Sequence, residues 1–504
     1  MPEPDKPFQP DDEDEVGAVA SSAGGKVPKA LSGRLAGMPL GRQIFVLAIW
    51  PFFQQLLSWL VSFVDTAVAG HLDAQSTSAI AVGGYINWFM GLMVMGIGSG
   101  GAALIARAIG GGHKGLANAG VGQSLLLGWI IGIIVGLLVF AAAKPIGLAA
   151  GLSEQTLELC KLYLWITAGG VPLAAVLFVG SACMTAAGDT RPPFFVMVVM
   201  NVVNLLVTLV LALEKLPIVH GQIEIPGFGL GVIGIAMGTV IGWGVGAVLM
   251  TILLLKPGGS LRLHPHRLRP HWHTIKRIWR VSYPNLLDRG GHWAGNWIII
   301  MIVGLIGASS AIGDAVQGAH IIAIRIEAIS FLPALAFAAA AGTLTGQYLG
   351  ANDPVMARKA ARQCWLLGAG LMTALGLVFI TVPDALVRIL TKEQVFLDTS
   401  PDLVRICGFV QFFFGSALVL QGAMRGAGDT RVPAILSNTL TWLIRLPAAF
   451  VLGVDDFVIG EQVVFQGFGL GLVGIWYALC GELFLRGCVF IARYLRDGWL
   501  KVEV

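Results

Sequence analysis

The sequence predicts an all-α polytopic membrane protein, with twelve transmembrane helices in two six-helix lobes related by a parallel internal repeat. Three observations carry this. The chain is 56% hydrophobic and only 12% charged, with a mean hydropathy of +0.78, whereas a soluble domain carries roughly 25% charged residues. Apolar runs long enough to cross a ~30 Å hydrocarbon core with about 20 residues of helix recur along the whole length. Finally, MTAAGDTRPP at 184–193 returns as MRGAGDTRVP at 424–433, so the two halves echo each other.

Residues 1–40 come first and are polar and low in complexity, with acidic DKPFQPDDEDE followed by basic GKVPKALSGR. They hold too little apolar surface to fold alone and read as a disordered cytoplasmic tail. The first apolar span begins near residue 44, so no secretory signal is expected. The first lobe, 41–255, holds spans near 44–69, 79–106, 119–143, 158–186, 193–213 and 229–255. The second, 281–495, holds spans near 280–306, 315–345, 362–383, 402–424, 433–454 and 468–492. Between them lies a basic linker, 256–280, and a tail at 496–504 closes the chain.

Basic residues orient the spans. Arg107, Lys114, Arg191, the linker, Arg358, Lys359, Arg362, Arg425, Arg431 and Arg493 all fall on one side if the amino terminus is inside. The opposite loops are richer in acid (Asp73, Glu154, Asp384, Asp455, Asp456), with Lys144, Lys215, Arg388 and Lys392 as exceptions. Both termini are therefore expected in the cytoplasm and the protein in the inner cell membrane. Within the linker, His264, His266, His271 and His273 invite a metal reading. Neighbouring prolines and the lack of a carboxylate or thiol partner favour a connector that meets anionic headgroups. The six cysteines show no CxxC spacing and read as helix-packing residues. A net charge of +4 gives no reason to expect nucleic acid. The partners expected are a small-molecule substrate and membrane lipids, and the state a monomer.

The repeat holds at further anchors. GFGLGVIGIA at 227–236 recurs as GFGLGLVGIW at 467–476, and Gly110 aligns with Gly350, all at an offset of 240 residues. Upstream the register shifts, and Pro51 pairs with Pro284. An even number of spans separates the copies, so both enter the membrane the same way. Transporters built on parallel repeats place substrate between the halves and rock one half against the other. GDTR falls at the inner turn before the fifth span of each lobe. There Asp189 and Asp429 are expected to cap the next helix, Arg191 and Arg431 to meet headgroups, and Pro193 and Pro433 to occupy the first helical turn.

VDTAVAGHL at 64–72, MTAAGDTRPP, NVVN at 201–204, RIEAISFLP at 325–333, TGQYLGAND at 345–353 and MRGAGDTRVP together resemble the multidrug and toxic compound extrusion (MATE) family. The resemblance spans roughly residues 40–495 in order. It implies a V of two six-helix lobes that exports organic cations or other amphipathic compounds, driven by proton or sodium entry and with no cofactor. It also implies ion coupling at the aspartate of the VDT motif, here Asp65. Several members carry an aspartate four residues after the second asparagine of the NVVN motif, where this chain has Thr208. Sodium-coupled members carry a tyrosine and an aspartate where this chain has Val410 and Phe414. The first departure weakens a direct copy of the family's proton site and leaves Asp65 as the carboxylate of that lobe, while the second favours the proton over sodium.

Ionisable residues inside spans are costly unless they face protein or water, and so mark functional sites. Asp65 leads, with Gln54, Gln55 and Asn87 able to supply a hydrated pocket and Asn201 and Asn204 able to bind by hydrogen bonds. In the second lobe, Asp288 and His292 share a helix face as a further coupling pair. Glu327 is a cavity candidate, and Glu482–Arg486 reads as a neutralised pair near the inner end. Phe331, Phe337, Phe412, Phe413, Phe414 and Trp442 read as packed or lipid-facing rather than as a cation-binding cage. A lipid-linked oligosaccharide flippase of the same superfamily is the alternative, disfavoured by few cations within spans (Arg289, Arg325, Arg445). A membrane-embedded transferase would need clustered carboxylates, and no P-loop points to ATP. The expectation is a transporter rather than an enzyme.

Overall fold

A computed structural model describes residues 31–70, 72–216, 225–309, 313, 315–459 and 462–502. Twelve long helices follow one another. The first six are α1 (Leu40–Gly70), α2 (Ala74–Gly110), α3 (Lys114–Ala149), α4 (Glu154–Ala186), α5 (Arg191–Ala212) and α6 (Val232–Leu255). The second six are α7 (Trp272–Ser309), α8 (Ala315–Gly350), α9 (Pro354–Thr381), α10 (Gln394–Gly426), α11 (Arg431–Gly453) and α12 (Gly471–Leu495). Eleven of them, α2 to α12, are long and apolar enough among the described residues to cross a membrane, and α1 adds 31 residues. Several exceed the ~20 residues that a bilayer core needs: α2 and α8 run to 37 and 36 residues. The linker expected over 256–280 is helical from Trp272, where α7 begins.

The repeat becomes a packing rule. In the first lobe α4 packs on α2, α3 and α6, and α5 packs on α6; in the second α10 packs on α8, α9 and α12, and α11 packs on α12. Each lobe also carries a two-stranded antiparallel hairpin after its fifth helix: β1 (Lys215–Leu216) with β2 (Ile225–Pro226), and β3 (Asp456–Ile459) with β4 (Gln462–Gln466). The expected outer pair Asp455–Asp456 sits at the start of the second hairpin.

Helices α1 and α7 are shared between lobes. α1 packs on α5 of its own lobe and on α8 of the other, while α7 packs on α11 of its own and on α2 of the other. Thus Leu35, Ile44 and Leu47 are buried with Ala334, Leu344 and Leu420, and Ile278 is buried with Ile97, Leu104 and Leu127. Residues 31–39, which the sequence assigns to the tail, are anchored here: Ser32 donates to Ile109 O and Arg34 pairs with Asp189. The rest of that tail, residues 1–30, lies outside the described residues.

The GDTR turns are elbows, as expected, but their aspartates do not cap. Gly188 and Gly428 take φ of 86° and 87°, a left-handed conformation that glycine adopts without steric cost. Thr190 and Thr430 occupy the N-cap positions without a side-chain cap bond. Asp189 instead accepts from Ser260 Oγ at 3.0 Å and pairs with Arg34, while Asp429 pairs with Arg493 at 2.8 Å. A charged partner within reach is a stronger attraction for a carboxylate than a cap N–H, so the first elbow is pinned to the segment before α1, with Ser260 after α6 adding a hydrogen bond, and the second to the end of α12.

Candidate functional site

The lobes join through a reciprocal contact that follows from the repeat. A Cβ on Gly110 would overlap Gln347 O, and a Cβ on Gly350 would overlap Arg107 O. Gln347 lies 240 residues after Arg107, as Gly350 does after Gly110, so the same backbone approach is made twice with the lobes exchanged. Around it, Gln347 Nε2 donates to Ala186 O at 2.8 Å and Arg107 Nη2 to Ala427 O at 2.6 Å. Tyr348 OH donates to Gln43 Oε1 at 2.8 Å. Further along, α2 and α7 stay together: Asn285 Nδ2 donates to Ser99 Oγ at 2.7 Å, and Ser282 Oγ to Ile97 O at 3.2 Å. Beyond these, Tyr85 contacts Trp293 and Trp297 at ring separations of 5.2 and 5.0 Å, with Phe89 at 4.7 Å from Trp293. This aromatic seam is not apparent from the sequence, although Trp293 and Trp297 are four apart on one helix face.

In the first lobe the predicted polar residues divide into two groups. Asp65 belongs to α1, but its side chain lies outside the described residues. Gln54, on the same helix, reaches Ser181 of α4 at 3.5 Å, and Gln55 beside it is half-buried. Asn87 of α2 keeps a buried Oδ1 with no hydrogen-bond partner among the described residues. Asn204 and Thr208 sit in the α5–α6 seam: Asn204 Nδ2 donates to Thr239 Oγ1 at 3.4 Å, its Cβ lies 3.0 Å from where Gly242 would carry one, and Thr208 faces Gly238. Small residues opposite polar ones let the helix backbones approach. Asn201, one turn earlier on α5, is buried as well. Asn201 Nδ2, Asn204 Oδ1 and Thr208 Oγ1 have no partner among the described residues, which leaves unspent hydrogen-bonding capacity among them.

The second lobe holds a buried charge network, and here the expected pairing changes. Asp288 does not pair with His292. Its Oδ2 accepts from Arg425 Nη2 at 2.5 Å and from Gln421 Nε2 at 3.2 Å. Two residues of α10 one turn apart, Gln421 and Arg425, outcompete the histidine on its own helix because a guanidinium offers a full charge and a fork of donors. His292 keeps a buried Nδ1 without a partner among the described residues and lies within electrostatic reach of Arg289, Arg425, Arg445 and Arg486. Glu482, fully buried, pairs with Arg486 as expected, at 2.6 Å, and with Arg445, also at 2.6 Å. The triad stands midway along α12 rather than at its inner end. Arg445 also donates to Asn296 Oδ1 at 3.2 Å, and Arg486 to Thr441 Oγ1 at 2.8 Å.

Arg445 is presented by a π-helical turn, Thr441–Arg445, in which the Leu446 N–H bonds back to Thr441 O. Pro447 follows two residues later and has no N–H to continue an α-helical ladder, and such single π turns often occur at functional sites. Glu327 of α8 is half-buried, and nearby the Cys407 sulfur receives Gln411 Nε2 at 3.0 Å. Phe331 meets Phe414 at 6.2 Å and Phe413 meets Phe484 at 4.4 Å, so these rings largely pack on one another. The six cysteines are all free and five are buried. Among the described residues no group of three or more His, Cys, Asp and Glu side chains is arranged to hold a metal. In the linker, His271 Nδ1 meets Thr274 Oγ1 at 2.9 Å at the start of α7, and the His264 and His266 rings stand 5.4 Å apart.

Asp73, outside the spans, has a clear local task. It caps α2, accepting the Ser76 N–H at 2.6 Å and Ser76 Oγ at 3.0 Å, and the backbone bond first and the hydroxyl second hold its carboxyl below the ordinary range.

The profile of the family described as MatE matches residues 51–210 and 293–451, one match in each lobe. The chain is 27% identical over 463 residues to the "Probable multidrug resistance protein NorM" of Thermotoga maritima, covering 92% of this chain and 94% of that protein. It is 27% identical over 475 residues to "Multidrug resistance protein PmpM" of Pseudomonas aeruginosa, covering 90% and 93%. A solved structure described as the outward-facing conformation of a multidrug resistance MATE family transporter superposes with a TM-score of 0.79 at 19% identity, over 92% of this chain and 98% of that one.

Proposed function

Because the chain belongs to the MatE family of integral, multi-pass membrane transporters, we propose that it is a proton-coupled efflux antiporter of amphipathic or cationic organic compounds. It works by alternating access between its two lobes. It lies in the inner cell membrane with both termini cytoplasmic. The observation that carries this reading is the reciprocal Gly110–Gln347 and Gly350–Arg107 contact, a joint that two equivalent lobes can open and close. If basic residues mark the cytoplasmic side, that joint seals the inner end, and the state described is outward-facing.

Asp65 is the proton carrier in this proposal, with Gln54, Gln55 and Asn87 as its polar surroundings. Asn201, Asn204, Thr208 and Glu327 supply hydrogen bonds to substrate or water, while Asp288, held by Arg425 rather than by His292, is not assigned to coupling. The proton is preferred to sodium because Val410 and Phe414 offer no side-chain oxygen, while Asp288 and Glu482 are already held by arginines. The flippase reading needs free cations for phosphate, and Arg425, Arg445 and Arg486 are committed to carboxylates.

The test is dye release from proteoliposomes. An imposed proton gradient without sodium should drive export of a lipophilic cationic dye, and Asp65→Asn should abolish it. Equal transport by Asp65→Asn sinks the coupling assignment. Transport under a sodium jump alone, with none under a pH jump, makes sodium the coupling ion.

A further inference from the structure

The starts of α3 and α9 are equivalent in the repeat. Asn118, Ala119 and Gly122 stand where Arg358, Lys359 and Arg362 stand 240 residues later. In the first lobe the segment between the lobes covers this surface. Asn118 Oδ1 accepts the Arg262 N–H at 2.9 Å, and Gln123 Nε2 donates to Arg267 O at 2.6 Å and to Arg269 O at 2.9 Å. A Cβ on Gly122 would stand only 2.7 Å from Arg267 O, so the cover is in backbone contact.

In the second lobe the equivalent surface is an open cavity of about 700 Å³ lined by Val355, Arg358, Lys359, Arg362, Trp365 and Leu500, among others. Arg358 is committed, to Asp497 at 2.8 Å and to the face of Tyr494 at 5.8 Å. Lys359 and Arg362 are exposed and make no ion pair among the described residues. The helix then continues the same stripe into apolar surface. Positions 355, 359, 362, 366 and 370 recur every three or four residues and so share one face. Leu366 is 51% exposed, and Gly370 has open space where a Cβ would be. Two cations with no ion pair among the described residues therefore stand at one end of an exposed apolar stripe.

We propose that this cavity binds one anionic phospholipid, its phosphate between Lys359 and Arg362 and an acyl chain along Leu366 and Gly370. The polarity selects the occupant. A soluble phosphate would leave the apolar stripe uncovered, and a zwitterionic lipid would bring a choline cation against Lys359 and Arg362. The proposal rests on the reading that this end of α9 faces the cytoplasmic leaflet, where anionic lipid attracts basic segments. It does not depend on which ion drives transport.

Native mass spectrometry of the full chain, delipidated in detergent and titrated with phosphatidylglycerol or phosphatidylcholine, tests it. One phosphatidylglycerol per chain should bind in preference to phosphatidylcholine. The double variant Lys359→Ala/Arg362→Ala should bind it about thirty-fold more weakly, from the worth of two basic residues at a membrane surface. The charge-matched control Lys144→Ala/Lys392→Ala, at two exposed positions on the opposite side, should bind as the wild type does. Lys359→Arg/Arg362→Lys should restore binding. An equal loss in the control pair, equal retention of phosphatidylcholine, or displacement of the lipid by equimolar inorganic phosphate would each overturn the proposal. Loss of dye export with lipid binding intact would count against the transport reading alone.

Discussion

Glu482 has no exposed surface, and each of its carboxylate oxygens receives a different arginine, Arg445 or Arg486. Removing one member of such a buried set strands the others, at about 3–5 kcal/mol. Glu482→Gln should therefore lower the melting temperature of the purified protein by several degrees, and an unchanged melting curve would show that the guanidinium charges are otherwise compensated. Replacing Glu482, Arg445 and Arg486 together by apolar residues should recover much of that loss, since no charge is then left unpaired. Glu482–Arg486 is legible in the sequence as a pair four apart on a helix. Arg445 as its third member, and Arg425 as the partner of Asp288, are not, because both arrive from other helices. At Asp73 the sign of the pH effect is clear. Its carboxyl is depressed by the cap, so the stabilisation is complete above the unfolded value of about 3.9 and is lost as pH falls through the folded value. The protection factor of the Ser76 amide against hydrogen exchange should fall in acid, and Asp73→Ala should show the same loss of protection at neutral pH.

Among the elements, the elbow and the joint show how one motif can be read correctly in place and wrongly in role. GDTR marks the turn before each fifth helix, and its glycines adopt the left-handed conformation there. The aspartates, expected to cap, instead reach across to Arg34 and Ser260 in one lobe and Arg493 in the other. Local sequence suggests a cap because aspartate is a good one, while the competing cations are far away in sequence and close in space. The Gly110–Gly350 joint is likewise visible in the sequence only as an aligned glycine. Gly110→Val or Gly350→Val would drive a side chain into the opposite lobe's backbone and should bias the lobes towards opening at that end. Labelling of a reporter cysteine at Thr343, beside the joint, by a membrane-impermeant thiol reagent should rise in either variant, and unaltered labelling would show that the joint accommodates the added bulk.

For the whole molecule, the two lobes are equivalent in helix packing and unlike in charge. The second gathers Asp288, Arg289, Glu327, Arg425, Arg445, Glu482 and Arg486 in one interior. The first has Asp65 as its candidate carboxylate, with uncharged Asn87, Asn201, Asn204 and Thr208 around its interior. Rocking of one lobe on the other requires that the α2–α7 contact be broken or slid. A Ser99→Cys/Asn285→Cys pair, made where those side chains meet at 2.7 Å and in a background without the six native cysteines, should form a disulfide under oxidant. Oxidation should then stop dye export and reduction restore it; export that continues through a formed disulfide would exclude rocking at this contact.

The sequence alone determined the membrane class, the twelve spans, the parallel repeat at 240 residues and the family, because hydropathy, helix length and repeated motifs are properties of neighbours along the chain. It also named Asp288, Glu482 and Arg486 as buried ionisable residues, since charge within an apolar run is conspicuous. Only the tertiary structure decided which charge meets which, that α1 and α7 are each shared between lobes, and that the surface covered by the linker in one lobe is open in the other. The physical reason is the same in each case. A guanidinium or a backbone carbonyl chooses its partner by distance and desolvation in three dimensions, and the helices that bring those partners together are scores to hundreds of residues apart.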